Sequence, residues 1–196
     1  MLWNVTTPPT GTVIDPSTIP YHLRTDADLA ATGQEQAYIA ELLAAATEYA
    51  EVQMQTSLLT RTITAVYYQH DAEVDASYGY QWQGPAVILR RGPVQSLVSV
   101  TNGDGANITG NCTLQTEGTT DILMVPNGWV QPLTVVYTAG YGTGYTATPP
   151  DIRQAIRAHV GHLYENRESS QDKALIPVPH SLEAFYGRKC RTAVAG

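Results

Sequence analysis

The stretch "PPDIRQAIRAHVGHLYENRESS", residues 149–170, decides the fold of this 196-residue chain. Its apolar side chains recur at steps of three and four residues, as they do on one face of an α-helix. Two prolines stand directly before Asp151 and favour the start of a helix at that point. The pattern predicts an amphipathic helix over residues 151–168. Its buried stripe consists of Ile152, Ile156, Val160 and Leu163.

Two histidines on this helix raise the question of a metal site. His159 falls inside the apolar stripe, His162 lies at its edge, and Glu165 lies on the far side of His162. Zinc proteases of the zincin type carry histidines four residues apart with a glutamate between them, and that spacing is absent. We therefore predict no metal and no cofactor, and a partly buried His159 that is hydrogen-bonded within the core. A metal-assisted hydrolase using these three residues is the enzymatic alternative.

Three arginines lie beside the stripe, and Glu165 is close to them in sequence. Two interpretations stay open for Arg153, Arg157 and Arg167. The first is a set of solvated ion pairs, each contributing roughly a few tenths of a kcal/mol. The second is pairing between subunits, because an arginine fork can hold a carboxylate of a neighbouring copy through two parallel hydrogen bonds.

A second long helix is predicted over residues 35–56. Ile39, Leu42 and Leu43 begin an apolar series at helical spacing that continues to Met54. Three consecutive alanines add helix propensity in the middle of this segment. We expect the two long helices to pack on each other through their apolar stripes and to form a helical core.

The residues between the two helices read as strands. They are rich in β-branched and aromatic residues, separated by Gly, Pro, Asn and Asp. The runs are "RTITAVYYQ" from Arg61, "AVILRRGPVQSLVSVTN" from Ala86, "DILMVP" from Asp121 and "LTVVYTAGY" from Leu133. The tripeptide at Arg91 to Pro93 splits the second run into two strands. The spacing predicts antiparallel hairpins in a β-rich insertion over residues 61–138, so the fold class is α+β.

The two ends of the chain differ from its middle. Residues 1–16 are rich in proline and threonine and predict an extended arm with little structure of its own. Residues 17–168 are expected to form a single domain that contains the β-rich insertion. Residues 169–196 are predicted to be a linker and a short helix, "HSLEAFYGRKCR". This segment is expected to lie outside the core, so its deletion from residue 180 onward should leave a folded domain.

Other candidate motifs have simpler explanations. The glycine-rich stretches at Gly103 and Gly140 follow no nucleotide-binding spacing and are predicted to be turns. Asp71, Glu73 and Asp75 alternate as calcium ligands do. They lack the glycine and the closing glutamate of a calcium loop, so an exposed acidic loop over residues 71–84 is expected.

The composition limits the functions that the chain can have. Its formal net charge is −7 and its pI is about 5.1, so it has no basic surface of the kind that clamps nucleic acid. Charged residues make up 15% of the chain, against the usual ~25%, which suits a protein whose faces are covered by neighbours. No signal peptide and no membrane span are predicted. Cys112 and Cys190 match no zinc or redox spacing, and two free thiols or one disulfide both stay open.

In their order along the chain these segments resemble the head-to-tail connector (adaptor) proteins of tailed bacteriophages. The resemblance covers roughly residues 17–188. It is carried by the helix "LLAAATEYAE", the strand pair in "GPVQSLVSV", and "PPDIRQAI" followed by "HLYENRE". Each segment is weak alone, and their order and spacing make the match specific.

The resemblance implies a structural virion protein without enzymatic activity, made in the bacterial host cytoplasm and located in the neck of the particle. Copies would form a ring of twelve under the portal protein, extend the DNA channel, and receive a stopper or tail-completion protein below. DNA would pass through the lumen without specific binding, and no membrane is involved. The alternative within the same class is another neck or tail-completion protein. The residues implied as portal contacts are Leu182, Phe185, Tyr186, Arg188, Lys189 and Arg191.

Overall fold

The computed structural model describes residues 2–24, 33–68, 86–166 and 178–190. These residues form both helices and antiparallel sheets, so the predicted α+β class is confirmed. The helices are α1 (Ile19–Leu23), α2 (Gly33–Met54), α3 (Pro150–Glu165) and α4 (His180–Arg188). The strands are β1 (Leu2–Thr7), β2 (Arg61–Tyr67), β3 (Ala86–Leu89), β4 (Val94–Thr101), β5 (Thr113–Glu117), β6 (Thr120–Met124) and β7 (Leu133–Ala139).

The described residues divide into two compact units, each assembled from separate stretches of chain. The sheet unit contains the residues up to Thr10 together with Gln55–Tyr141. The helical unit contains Gly11–Met54 and Gly142–Cys190. The β-rich insertion expected inside a single domain is therefore a unit of its own, and it includes β1 from the segment expected to be an unstructured arm.

The sheet unit contains two antiparallel sheets. One has four strands in the order β1-β2-β7-β4, and the other has three in the order β3-β6-β5. The predicted hairpins between successive strands are mostly wrong, because β2 pairs with β7 and β3 pairs with β6. Strand β7 supplies apolar residues at every second position and takes the middle of its sheet, where both of its edges are paired.

The core of the sheet unit lies on one face of the four-stranded sheet. Burial alternates along β2 and β7, as expected when one face of a sheet is covered. Two buried tyrosines end in hydrogen bonds: Tyr67 Oη donates to the Ile88 carbonyl at 3.0 Å, and Tyr137 Oη donates to the Arg90 carbonyl at 2.7 Å. Other members of this core are Ile63, Val87, Leu89, Val100, Leu123, Trp129, Leu133 and Val135.

Glycine is required at two positions, because the backbone of another segment lies too close for a side chain there. A Cβ on Gly103 would lie 2.2 Å from the Gln131 carbonyl oxygen. Gly140 has a φ of +132°, and a Cβ there would lie 2.5 Å from the carbonyl of Leu59. Both positions adjoin turns, which agrees with their prediction as turn glycines rather than phosphate-binding glycines.

The helical unit is built on the packing of α2 against α3, as predicted from their stripes. Ile39 and Leu43 of α2 are buried, and so are Ile152, Ile156 and Val160 of α3. The remaining predicted core residues, Leu42 and Leu163, are half-buried. Helix α2 mixes buried alanines, such as Ala46 and Ala50, with exposed ones, so its two faces differ little in polarity.

Candidate interaction surfaces

An aromatic cluster joins three helices of the helical unit. The His159 ring of α3 lies edge-on to Tyr49 of α2, with 5.0 Å between ring centroids. Tyr186 of α4 lies 6.1 Å from Tyr49 and 6.2 Å from His159, and its side chain is completely buried. Edge-to-face contacts of this kind are favourable beyond the burial of apolar surface.

Two buried polar atoms of this cluster, His159 Nδ1 and Tyr186 Oη, have no hydrogen-bond partner within the described chain. His159 is 2% exposed, and among the residues that the structure describes its Nδ1 has no hydrogen-bond partner. The predicted hydrogen bond of His159 within the core is therefore not found, because its neighbours are ring faces and edges. Burial, and to a lesser extent the nearby His162, lowers the pKa of His159 and so favours the neutral imidazole.

The metal alternative gains no support from the described residues. Within residues 2–24, 33–68, 86–166 and 178–190, no three His, Cys, Asp or Glu side chains converge as metal ligands. His162 is half-buried and Glu165 is exposed at the end of α3. Cys112 and Cys190 are both free and half-buried, and burial raises the pKa of the Cys112 thiol.

Helix α4 presents fewer contact residues than the resemblance implies. Tyr186 is a core residue, so it is removed from the candidate portal contacts, and the expectation that α4 lies outside the core is wrong. Leu182 and Phe185 are half-buried, and Arg188 is exposed. The exposed Lys189 forms an ion pair with Asp151 of α3 at 2.7 Å, and this pair lowers the pKa of the Asp151 carboxyl. Arg191 lies outside the described residues.

The arginines of α3 make no ion pair within the described part of the chain. Arg157 Nη2 donates a hydrogen bond to Thr18 Oγ1 at 3.4 Å. Arg153 is half-buried, and its Nε has no partner among the described residues. The structure does not bring either arginine to Glu165, and Arg167 lies outside the described residues. Pairing between subunits thus stays a prediction for Arg153, Arg157, Glu165 and Arg167. The predicted acidic loop over residues 71–84 also lies outside the described residues.

The four-stranded sheet has an uncharged outer face that the sequence analysis missed. It is formed by the residues that alternate with the core positions, and we call it the hydroxyl face. Hydroxyl pairs cross it, with Thr6 to Thr64 at 2.6 Å and Ser96 to Thr138 at 2.8 Å. No member is buried within the subunit. The hydroxyl face consists of Leu2, Asn4, Thr6, Thr62, Thr64, Val66, Ser96, Ser99, Thr101, Thr134, Val136 and Thr138.

Three chains in solved particle structures share this architecture. A chain in the neck of an empty GTA particle, computed with C6 symmetry, matches with a TM-score of 0.68 and 21% identity over 95% of both chains. A chain in the virion of a native gene transfer agent (GTA) particle matches with a TM-score of 0.67 and 22% identity over the same shares. A chain in the neck of a native GTA particle, computed with C12 symmetry, gives a TM-score of 0.62 and 17% identity over 95% of this chain and 94% of that one.

The chain has the fold of proteins in gene transfer agent necks. The fold implied by the resemblance to connector proteins is thereby confirmed over nearly the whole chain. No protein-family model and no curated protein matches the sequence. Among the described helices, none has the combination of length and apolar character that a membrane span needs.

Proposed function

We propose that this protein is a structural, non-enzymatic subunit of the neck of a tailed, phage-like particle. The observation that carries the proposal is the fold match, which extends over 95% of this chain and 94–95% of chains from two particle necks.

Within the neck, we assign the chain to the adaptor ring that lies under the portal protein. The matched necks were computed with C6 and C12 symmetry, which supports a homo-oligomeric ring and is compatible with twelve copies. The low charged fraction of 15% fits subunits whose sides are covered by identical neighbours. The net charge of −7 fits a channel through which DNA slides without being held, because carboxylates repel phosphates.

Helix α4 is the proposed portal-binding element, and its residues have two different roles. Tyr186 anchors the helix to its own subunit through the aromatic cluster. The candidates available to a partner are then the half-buried Leu182 and Phe185 and the exposed Arg188 and Lys189. Arg191 remains a candidate, and a stopper or tail-completion protein is the proposed partner on the opposite side of the ring.

A cryo-EM reconstruction of the particle neck tests the proposal. We expect density for twelve copies directly below the portal, with α4 in contact with it. A neck without this chain would refute the structural role. The chain placed at the tail tube instead of the portal would identify it as another neck or tail-completion protein.

A binding assay distinguishes the same two positions in solution. Purified protein should be retained by immobilised portal protein and lost with Arg188→Glu. The control is His180→Glu, because His180 lies at the other end of α4 and its side chain is 94% exposed. Retention by tail-tube protein in place of portal protein would contradict the adaptor assignment.

A further inference from the structure

The four-stranded sheet ends in two edge strands that carry no charge and no proline. Strand β1 reads "LWNVTT" and strand β4 reads "VQSLVSVT". Soluble proteins usually protect sheet edges with lysine, proline or very short strands, because an open edge pairs with other chains. We propose that these two edges are the subunit–subunit contact of the ring: β4 of one copy pairs with β1 of the next. This inference rests on the proposed ring.

No strand lies along the outer edge of β1 in the part of the chain that the structure describes. Among the described residues, β1 pairs only with β2, in a register that runs from Leu2 opposite Val66 to Thr7 opposite Thr62. Leu2 is 66% exposed and Trp3 is 42% exposed. The Arg91 guanidinium lies 4.8 Å from the centre of the Trp3 ring, which holds β1 to its own subunit by a cation–π contact.

Among the described residues, the outer edge of β4 has no backbone partner between Val94 and Val100, and the Val94 amide itself donates to Asp121 Oδ2 at 3.0 Å. Its last part is covered, because the Ile108 amide donates to the Val100 carbonyl at 2.8 Å and Thr109 Oγ1 accepts from the Val100 amide at 2.7 Å. Gln95–Ser99 remain, five residues against the six of β1. Val98, at a register shift, is 55% exposed. Such irregularities bend a strand and increase its twist, as a sheet that continues around a ring requires.

The three-stranded sheet of the same unit shows the opposite design. Its edge strand β5 carries Glu117, and its other edge strand β3 has only four residues, three of them buried. Those are the features that prevent pairing with another chain. The unprotected edges are therefore confined to the sheet that also carries the hydroxyl face.

Strand direction favours pairing of β4 with β1 of another copy. Every neighbour in the order β1-β2-β7-β4 is antiparallel, so β4 runs opposite to β1. Rotation about a ring axis keeps the direction of each strand along that axis, so β1 of the next copy also runs opposite to β4 of the first. The two strands can therefore pair antiparallel, and the sheet continues from subunit to subunit. Such a head-to-tail contact uses two different edges and closes into a ring when the rotation allows it.

Two lysine substitutions test the two edges separately. Asn4→Lys changes an exposed residue of β1, and Val98→Lys changes an exposed residue of β4; Gln115→Lys on the charged edge strand β5 is the matched control. Full-length proteins are compared by sedimentation velocity and by their amount in purified particles, with circular dichroism and a thermal melt to confirm folding. We expect each edge variant to weaken ring assembly about tenfold or more and the control to assemble like wild type.

Mixing the two edge variants distinguishes the head-to-tail contact from a two-fold one. Each variant retains one intact edge, so an equimolar mixture should give dimers that cannot close into rings. Loss of assembly with Asn4→Lys alone would indicate β1–β1 pairing and overturn the proposal. Wild-type assembly by both folded variants would also overturn it while leaving the proposed function intact. Absence of the wild-type protein from particle necks would instead refute the proposed function.

Discussion

The buried tyrosines of the two units differ in how their hydroxyls are satisfied. In the sheet unit, Tyr67 and Tyr137 each donate to a backbone carbonyl. In the helical unit, Tyr186 is equally buried, and its hydroxyl has no partner among the described residues. Since a buried polar group without a partner costs roughly 1–3 kcal/mol, the helical unit holds a cluster that packs well through its rings and poorly through its polar atoms.

This difference between the two units indicates which of them should respond to a change in pH. The core of the sheet unit is formed mainly by apolar residues and by tyrosines whose hydroxyls are bonded, so pH changes near neutrality should affect it little. The aromatic cluster contains the buried imidazole of His159. Burial lowers its pKa, so it becomes charged only when the pH falls below that lowered pKa. Helix α4, the proposed portal-binding element, is anchored to that cluster.

The largest effect should come from a charge in the stripe of α3. Ile156 is fully buried, so Ile156→Asp places an unpaired carboxylate in the core and should cost about 4 kcal/mol or more. The helical unit should lose its cooperative melt, measured by circular dichroism. Gln154→Asp on the exposed side of the same helix should melt within about 0.5 kcal/mol of wild type. Equal melts for both variants would show that this stripe is not the core.

Removing the ring of Tyr186 should have the next largest effect. Tyr186→Ala leaves a cavity between α2, α3 and α4 and should lower the free energy of unfolding by about 3 kcal/mol. Deletion from residue 180 onward should destabilise the unit similarly, contrary to the expectation from sequence. Chemical denaturation with an unchanged midpoint would mean that α4 contributes nothing to the fold in solution.

Two tyrosine-to-phenylalanine changes test the comparison of hydroxyls directly. Tyr137→Phe leaves the Arg90 carbonyl without its donor and should cost about 1–2 kcal/mol. Tyr186→Phe removes a hydroxyl that has no described partner and should be neutral or slightly stabilising. Denaturant titrations of both variants give the two values. Equal losses would show that Tyr186 has a partner after all.

The aromatic cluster should make stability depend on pH. Burial lowers the pKa of His159 below its ordinary value of 6.5, so the unfolded chain binds the proton more readily than the folded one. Stability present above pH 6.5 should therefore be lost as the pH falls through the folded-state pKa, with a slope of up to about 1.4 kcal/mol per pH unit. Melts from pH 8 to pH 5 measure this loss. His159→Phe should flatten the profile, and the exposed His180→Ala should not change it.

The smallest effect is expected at the ion pair between α3 and α4. Lys189 and Asp151 are each about half exposed, with side-chain exposures of 45% and 46%. Lys189→Ala should therefore cost less than about 1 kcal/mol, and 1 M salt should remove most of the difference from wild type. A loss well above that value would show that this pair, and not Tyr186, holds α4 in place.

Much of the fold could be predicted from local sequence signals. The periodicity of Ile152, Ile156 and Val160 was sufficient for α3, and the β-branched and aromatic residues of "RTITAVY" and "LTVVYTA" were sufficient for β2 and β7. Strand pairing was not predictable in this way, because it depends on contacts between distant segments. Strand β1 was missed because its own residues are mostly exposed, and only pairing with β2 gives it a defined conformation.

The candidate surfaces were harder to predict than the fold. The sequence shows that Tyr186 is apolar and near the end of the chain, and both facts suit a docking residue as well as a core residue. Only the position of α4 against Tyr49 and His159 decides between them. The hydroxyl face did leave a signal, since Thr62, Thr64, Thr134 and Thr138 occupy alternate positions. Its meaning required the sheet order, which places those strands side by side.

The central position of β7 determines when the sheet can form during synthesis. The ribosome makes β1 and β2 early, yet both sheet neighbours of β7 must wait until Leu133–Ala139 has left the exit tunnel. Helix α2 likewise waits for α3, which begins at Pro150. The nascent polypeptide therefore has unpaired strand edges until about two thirds of the chain has been made, and long-range pairing of this kind forms slowly and leaves those edges open to aggregation.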